Sequence, residues 1–400
     1  MVAETNRLFN RYNLIKTGIR LGVSLNSILL CHWIPCAHSD CYGYSIVFEI
    51  KIADKDLCSH LYLSDLVRQQ GLIDFTLIEG TLCRPKTLTG EPQSAFGSNV
   101  SDDQSNHSKL VIFTEGLHLQ QLTQVTQALA DYLELAFYRV IKVEGVSGFA
   151  VCAYVALKTP NNINTPIEDV AKRFSVEICL VNKTPSLAEP GLLLMDMDST
   201  VIAVECIDEI AELAGVGEQV SAVTVLAMQG KLDFVQSLRT RVACLEDADE
   251  SILQQVRDAL PLMPGVANLV NILKSYEWKV AIASGGFSYF ADYLQVRLNL
   301  DAAVANDLDI QGAKLTGKVQ GNIVDANVKA QTLKSLAEQW SILPSQTIAM
   351  GDGANDLIMM NAAALGVALH AKPIVRQQAD IAIRRGGLDS LLWVLAAGQA

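Results

Sequence analysis

The sequence predicts an α/β protein in two parts, a small βαββαβ module followed by a parallel sheet that carries an inserted helical cap. Three observations predict it. Apolar strands and helical patterns follow one another in the order βαββαβ between Lys109 and Val181. After Pro190, short apolar runs alternate singly with helical stretches, the pattern of a parallel sheet covered on both faces. Between the first two of those runs lies a long helical stretch with no strand in it. A chain of 400 residues suits two or three domains, and with 50% hydrophobic and 18% charged residues it can bury sizeable cores.

Residues 1–84 hold one strand pattern, Tyr44–Ile52, and no pattern that assigns them a function. Leu21–Cys31, preceded by Arg7, Arg11, Lys16 and Arg20, imitates a secretion signal, but Ser24, Asn26 and Ser27 interrupt it and no cleavage site follows cleanly. Residues 85–108 are rich in Ser, Asn, Gly and Pro without apolar period and read as a linker. Leu110–Thr114 is then a strand, and Leu122, Val125, Leu129 and Tyr132 recur at helical spacing. Phe137–Val143 and Phe149–Leu157 are strands separated by the Gly145–Gly148 turn. Thr165-Pro166-Ile167-Glu168 reads as a capping box with proline at the first helical position, and Val176–Val181 closes the series. This is the ferredoxin-like plan. Over 109–183 it resembles, in topology alone, the ACT modules attached to amino-acid enzymes.

Leu192–Met195, Val280–Ala283, Thr347–Met350, Gly366–Leu369 and Ile381–Ile383 are the strands of the second part, a Rossmann-like core over 188–400. Val328, Leu333, Leu336, Ala337 and Trp340 mark one of its helices. The insert runs from about Glu205 to Leu262, opening on Ile207, Ile210, Ala211 and Ala214 and stopping at Gly215. At that place in the chain it stands over the crevice at the carboxyl ends of the strands.

Several function classes are excluded. A net charge of −12 argues against a nucleic-acid surface, and no apolar run is long enough for a bilayer. Nine cysteines, an odd number spread from Cys31 to Cys244, point to a reducing cytoplasm rather than a disulfide framework. Cys31, His32, Cys36, His38 and Cys41 cluster without the spacing of a regular zinc motif; the cysteines read as buried or idle thiols, with metal binding there the alternative. Only His370 follows Pro190, so a histidine-based phosphatase is poorly supplied, and no Gly-x-x-x-x-Gly-Lys-Ser/Thr loop is present.

Three strand ends carry chemistry. The first gives Asp196 and Asp198, the second Ser284, Gly285 and Gly286, the third Asp352, Asn355 and Asp356. If those strands are neighbours, carboxylates converge and need a hard cation such as Mg²⁺. A carboxylate so held can attack phosphorus, while the second carboxylate of the 196/198 pair handles the proton. Backbone N–H groups of the glycine turn, with the Ser284 hydroxyl, can hold the phosphoryl oxygens.

DMDST at 196–200, ASGGF at 283–287, Lys329 and GDGAND at 351–356 resemble the haloacid dehalogenase superfamily of phosphohydrolases. MDMDSTVIAVECIDEIAELAG and MQGKLDFVQSLRTRV are similar to its bacterial phosphoserine phosphatase family. The resemblance implies Asp196 as nucleophile and Asp198 as acid/base, with Mg²⁺ bound by Asp196, the backbone carbonyl of Asp198, and Asp352. It places Ser284, Gly285, Lys329 and Asn355 on the phosphate and has Asp356 orienting its neighbours. In the cap it implies Glu205 opposite the substrate ammonium, Arg241 on its carboxylate, and Met228 and Phe234 as an apolar lid. Without the resemblance, Glu205 reads equally as a helix start, Arg241 as a solvated charge and Lys329 as a solvent-facing helix residue. The expected substrate is O-phospho-L-serine, and a homodimer remains open. The alternatives are another small-metabolite phosphatase of the superfamily and a non-catalytic serine-sensing protein.

Overall fold

The computed structural model describes residues 31–33, 46–50, 74–78, 81–83, 108–158 and 163–399, which fall into two compact units, one reaching to Asn182 and one running from Lys183 to Gln399 and taking in Glu144–Val146. The secretion-like segment and, except for Ser108, the linker lie outside the described residues. So do the side chains of the Cys31–Cys41 cluster.

In the first unit β1 (Cys31–Trp33), β2 (Ile46–Ile50), β3 (Asp74–Ile78) and β4 (Thr81–Cys83) precede the module. Only β2 answers to the expected Tyr44–Ile52 strand. The module itself runs β5 (Ser108–Phe113), α1 (Leu119–Leu129), β6 (Leu133–Ile141), β7 (Ala150–Leu157), α2 (Asn164–Phe174) and β8 (Glu177–Val181). The sheet order is β1-β2-β4-β3-β6-β7-β5-β8, so the module keeps the antiparallel ferredoxin-like order and the earlier strands extend it through β3 against β6. Leu119, Leu122, Val125 and Leu129 line one face of α1 and bury it against Leu110, Ile112, Val151 and Ala153. One local expectation fails. Helix α2 starts at Asn164 with Ile163 as its cap residue, so Thr165 lies inside the helix and is not its N-cap.

The second unit holds β9 (Leu192–Met195), β10 (Lys279–Phe287), β11 (Ala302–Gln311), β12 (Lys314–Gln320), β13 (Thr347–Gly351), β14 (Leu365–Leu369) and β15 (Ile381–Ile383), in the order β12-β11-β10-β9-β13-β14-β15. All neighbours pair parallel except β11 with β12. Strand β9 is four fully buried apolar residues at the centre, as a strand covered on both faces must be. The β11–β12 hairpin is absent from the sequence reading. Its turn uses Gly312 and Ala313, both at positive φ, and an alanine there leaves no Asn-Gly signal to read.

The insert is a bundle of four helices, α3 (Cys206–Leu213), α4 (Gly217–Met228), α5 (Phe234–Ala243) and α6 (Ser251–Asp258). Its entry and exit run side by side: the Ala203 N–H donates to the Pro261 carbonyl (3.0 Å) and the Met263 N–H to that of Val201 (2.9 Å). The core continues with α7 (Val266–Ser275), α8 (Ser288–Leu298), α9 (Ala326–Gln339), α10 (Leu357–Ala362), α11 (Pro373–Gln378) and α12 (Leu391–Gln399).

Candidate active site

Register brings the three strand ends together. Met195 pairs with Ile282 of β10 on one side and Met350 of β13 on the other. Asp196 therefore sits level with Ala283 and Gly351, one residue before Ser284 and Asp352. The first carboxylate is held firmly. Its backbone N–H donates to the Met350 carbonyl (2.9 Å), and its Oδ1 accepts from the Met197 N–H (2.7 Å).

Lys329 supplies the central cation. Asp325 caps α9 by accepting from the N–H groups of Asn327 and Val328 (2.9 Å each), which starts the helix one turn before Lys329. The lysine is 1% exposed, and its Nζ lies 2.7 Å from both Asp196 Oδ1 and Asp356 Oδ1. It is a buried ion-pair centre and not the solvent-facing residue its helix position alone suggests. Burial by itself would lower its pKa; Asp196 and Asp356 outweigh that and raise it above the ordinary lysine range. The other Asp356 oxygen accepts from the Gly353 N–H (3.0 Å), so this carboxylate anchors the lysine and the loop together.

Asp198 is differently placed. Its Oδ1 accepts from the Cys206 N–H at the start of α3 (3.1 Å). Burial, then Glu205 and Asp196, push its pKa up to about 7, which suits a group that must give and take a proton near neutrality. Asp352 is pushed up to about 6 by burial, Asp196 and Glu205, and accepts from the Thr200 hydroxyl (3.4 Å). Asp356 is raised by burial and by Asp196, with Lys329 opposing. Oxygens of Asp196, Asp352 and Asp356 lie within 4.8 Å of one another. Such an all-oxygen set fits a hard divalent cation, which would offset the repulsion that raises these carboxyls.

The cap closes the site from above. A capping box starts α5: Asp233 Oδ1 accepts from the Gln236 N–H (2.8 Å) while the Asp233 N–H donates to Gln236 Oε1 (3.1 Å). Phe234, Leu238 and Arg241 then recur at i, i+4 and i+7 on one helix face. A cavity of about 250 Å³ is walled by those three with Glu205 and Ile207 of the cap. Its core side is Asp196, Asp198, Ser284–Phe287, Asp352, Gly353 and Asn355. Arg241 Nε is buried without a hydrogen-bond partner. Glu205 accepts from the Ser199 hydroxyl (2.8 Å), and burial raises its pKa.

Of the expected site residues, Asp196, Asp198, Glu205, Phe234 and Arg241 share this cavity with Ser284, Gly285, Asp352 and Asn355. Lys329 reaches it through Asp196. Met228 does not line it: the residue ends α4 at 70% exposure. Sequence reasoning missed Ile207, Leu238 and Asn306 as site residues, while Gly286 it had placed in the glycine turn. The i, i+4, i+7 spacing could have found Leu238; nothing local marks Asn306.

This fold and this carboxylate-lined crevice define a phosphohydrolase of the haloacid dehalogenase type, and residues 191–364 match the family model described as haloacid dehalogenase-like hydrolase. The chain is 58% identical over 224 residues to the phosphoserine phosphatase of Haemophilus influenzae, covering 56% of this chain and 71% of that one. It is 54% identical over 230 residues to that of Vibrio cholerae, covering 58% and 70%. Among solved structures, a probable phosphoserine phosphatase from Vibrio cholerae aligns over 77% of this chain and 91% of its own, at 43% identity and a TM-score of 0.64. The chain belongs to the phosphoserine phosphatase family of haloacid dehalogenase-like hydrolases.

Proposed function

We propose that the protein hydrolyses O-phospho-L-serine to L-serine and phosphate, the last step of serine biosynthesis, through a phosphorylated Asp196, with Mg²⁺ as its metal. One observation carries the reading. A single cavity is lined by Asp196, Asp198, Ser284 and Asp352 on its core side and by Glu205 and Arg241 on its cap side, a set that suits phosphoryl transfer below and an amino-acid group above.

The Asp196 carboxylate attacks phosphorus while Asp198, in its protonated form, gives its proton to the departing serine oxygen. Serine leaves, and the ionised Asp198 then takes a proton from the water that attacks the Asp196 acyl phosphate. Phosphate is released and both side chains return to their starting forms. Lys329 holds Asp196 in place and neutralises part of the charge that gathers there. The Ser284 hydroxyl and the backbone N–H groups of the glycine turn would cradle the phosphoryl oxygens, with Asn355 on the same wall. Asp196, the Asp198 carbonyl and Asp352 would hold Mg²⁺, which supplies Lewis-acid stabilisation of the phosphoryl oxygens when bound.

Glu205 would face the substrate ammonium, and Arg241 its carboxylate through a bidentate fork. Phe234 covers the glycine turn so closely that a β-carbon on Gly285 would lie 2.5 Å from its ring, and it would exclude water during transfer. Met228 would join this lid only after α4 moves toward the cavity. Among the described residues no helix is long and apolar enough to cross a membrane, and Cys152, Cys179, Cys206 and Cys244 are free thiols. Both facts support a cytoplasmic enzyme.

The test compares Arg241→Ala with the parent on phosphoserine and on a phosphate ester lacking a carboxylate. The expected result is a loss of kcat/KM of about 10²-fold or more on phosphoserine and a far smaller one on the simple ester. Equal losses would remove Arg241 from substrate recognition.

A further inference from the structure

Strand β10 breaks register with β11 where the chemistry is. Ala283 pairs with Val304, but the next pair is Phe287 with Asn306, so four residues of β10 span the same stretch as two of β11. The extra length bulges at Ser284–Gly286, and a bulge leaves backbone groups without their ladder partners. The Gly285 carbonyl is one such group. It finds its donor in a side chain: Asn306 Nδ2 donates to it at 2.9 Å. Asn306 Oδ1 in turn accepts from the Val324 N–H at 2.8 Å. The amide is 1% exposed, a polar group in a core strand with both ends committed.

We infer that Asn306 is a positioning residue for phosphoryl transfer, tying the glycine turn to the segment that launches the Lys329 helix. The Gly285 carbonyl and the Gly286 N–H belong to one planar trans peptide, so they point in opposite directions. Holding the carbonyl toward Asn306 therefore aims the Gly286 N–H the other way, where it meets Ser284 Oγ at 2.8 Å on the cavity wall. At its other end the amide fixes Val324, which adjoins the Asp325 cap and lies five residues before Lys329. One side chain thus sets the aim of the N–H that holds the Ser284 hydroxyl on the cavity wall and the start of the helix that delivers the cation. Without the amide the Gly285–Gly286 peptide is free to rotate, since neither residue has a β-carbon to resist it. Asn306 touches neither substrate nor reacting atoms; its effect passes through those groups.

The inference rests on the Ser284–Gly286 turn being the phosphate cradle, so Ser284→Ala is measured alongside. Asn306→Ala is expected to lower kcat about 10- to 100-fold on phosphoserine, and equally on a phosphate ester without the amino-acid part. Its inhibition constant for inorganic phosphate should rise at least about fivefold while that for L-serine stays within about twofold. Asn306→Asp has the same shape and keeps the acceptor for Val324 but loses the amide donor, so it carries the test if the alanine variant does not fold. It should show the same phosphate-specific defect. Unchanged phosphate inhibition in these variants, full activity in Asn306→Asp, or parallel weakening of phosphate and serine would each overturn the inference. If Ser284→Ala leaves phosphate affinity untouched, the cradle itself is misplaced. A defective Ser284→Ala beside an intact Asn306→Ala sinks only the role of Asn306.

Discussion

Asp196 and Asp198 stand two residues apart yet live in opposite electrostatic settings. The first lies 2.7 Å from the Lys329 ammonium; the second has no such cation among the described residues, and burial, with Glu205 and Asp196 beside it, pushes its pKa up to about 7. Two carboxyls in such different surroundings suit the proposed division of labour between nucleophile and acid. Their seating tolerates little. A β-carbon at Gly286 would come 2.5 Å from Asp198 Oδ2 and 2.7 Å from the Met197 methyl. Gly286→Ala is therefore expected to fold and to lose kcat about 10²-fold by displacing the acid, read in steady-state phosphate release. A variant with parent-like kcat would show that Asp198 has room to spare. At this scale the Asp-x-Asp pair, Ser284 and the Asp352–Asp356 run were legible in the sequence, because each follows directly on a buried apolar strand. Lys329 was not. Its helix position says solvent, and only the two aspartates that surround it, 133 and 27 positions away in the chain by subtraction of their residue numbers, explain its burial.

Helix α9 and the cap show how elements carry those residues. The Asp325 cap satisfies two N–H groups that would otherwise be orphans at the start of α9. Asp325→Ala should cost about 0.5–2 kcal/mol in urea unfolding and lower activity several-fold by fraying the turn that leads into Lys329. Loss of stability with full activity would separate the cap from the site. The helical insert was legible from its period and from Gly215, which closes α3 at positive φ. The strand pattern failed where residues compete. In β11, Asn306, Asp307 and Asp309 interrupt the apolar alternation, so the strand hides in the sequence although its backbone pairs on both sides. The polar residue that conceals the strand is the one that satisfies the bulge of its neighbour.

At the scale of the whole molecule, both folds were legible in element order, ferredoxin-like and parallel α/β, because order and loop length leave few topologies. Of the strands before residue 84 only β2 was legible, inside the expected Tyr44–Ile52; β1, β3 and β4 are three to five residues long and carry no apolar period to read. The clustering of acids also has a consequence for the stability of the entire domain. The pKa values of Asp198 and Asp352, about 7 and about 6, lie above the ordinary 3.8. The folded state binds these protons more tightly than the unfolded chain does. Their contribution is thus fully present below about pH 3.8 and is lost as pH rises through 6 to 7. In chelator, the melting temperature at pH 8 should fall below that at pH 5 by roughly 5 °C or more. Millimolar Mg²⁺ should restore it at pH 8 and change little at pH 5, since the cation replaces the protons. A melting temperature that rises with pH in chelator would show that these carboxyls are not strained together in the folded protein.

The central claim is a magnesium-dependent attack by Asp196 on a phosphorylated amino acid. Phosphate release from phosphoserine, followed for the parent and for Asp196→Asn with Mg²⁺ and with chelator, tests it most directly. Turnover should appear only in the parent with Mg²⁺, with Asp196→Asn folded but inactive. Sustained turnover by Asp196→Asn, or by the parent stripped of metal, would contradict it.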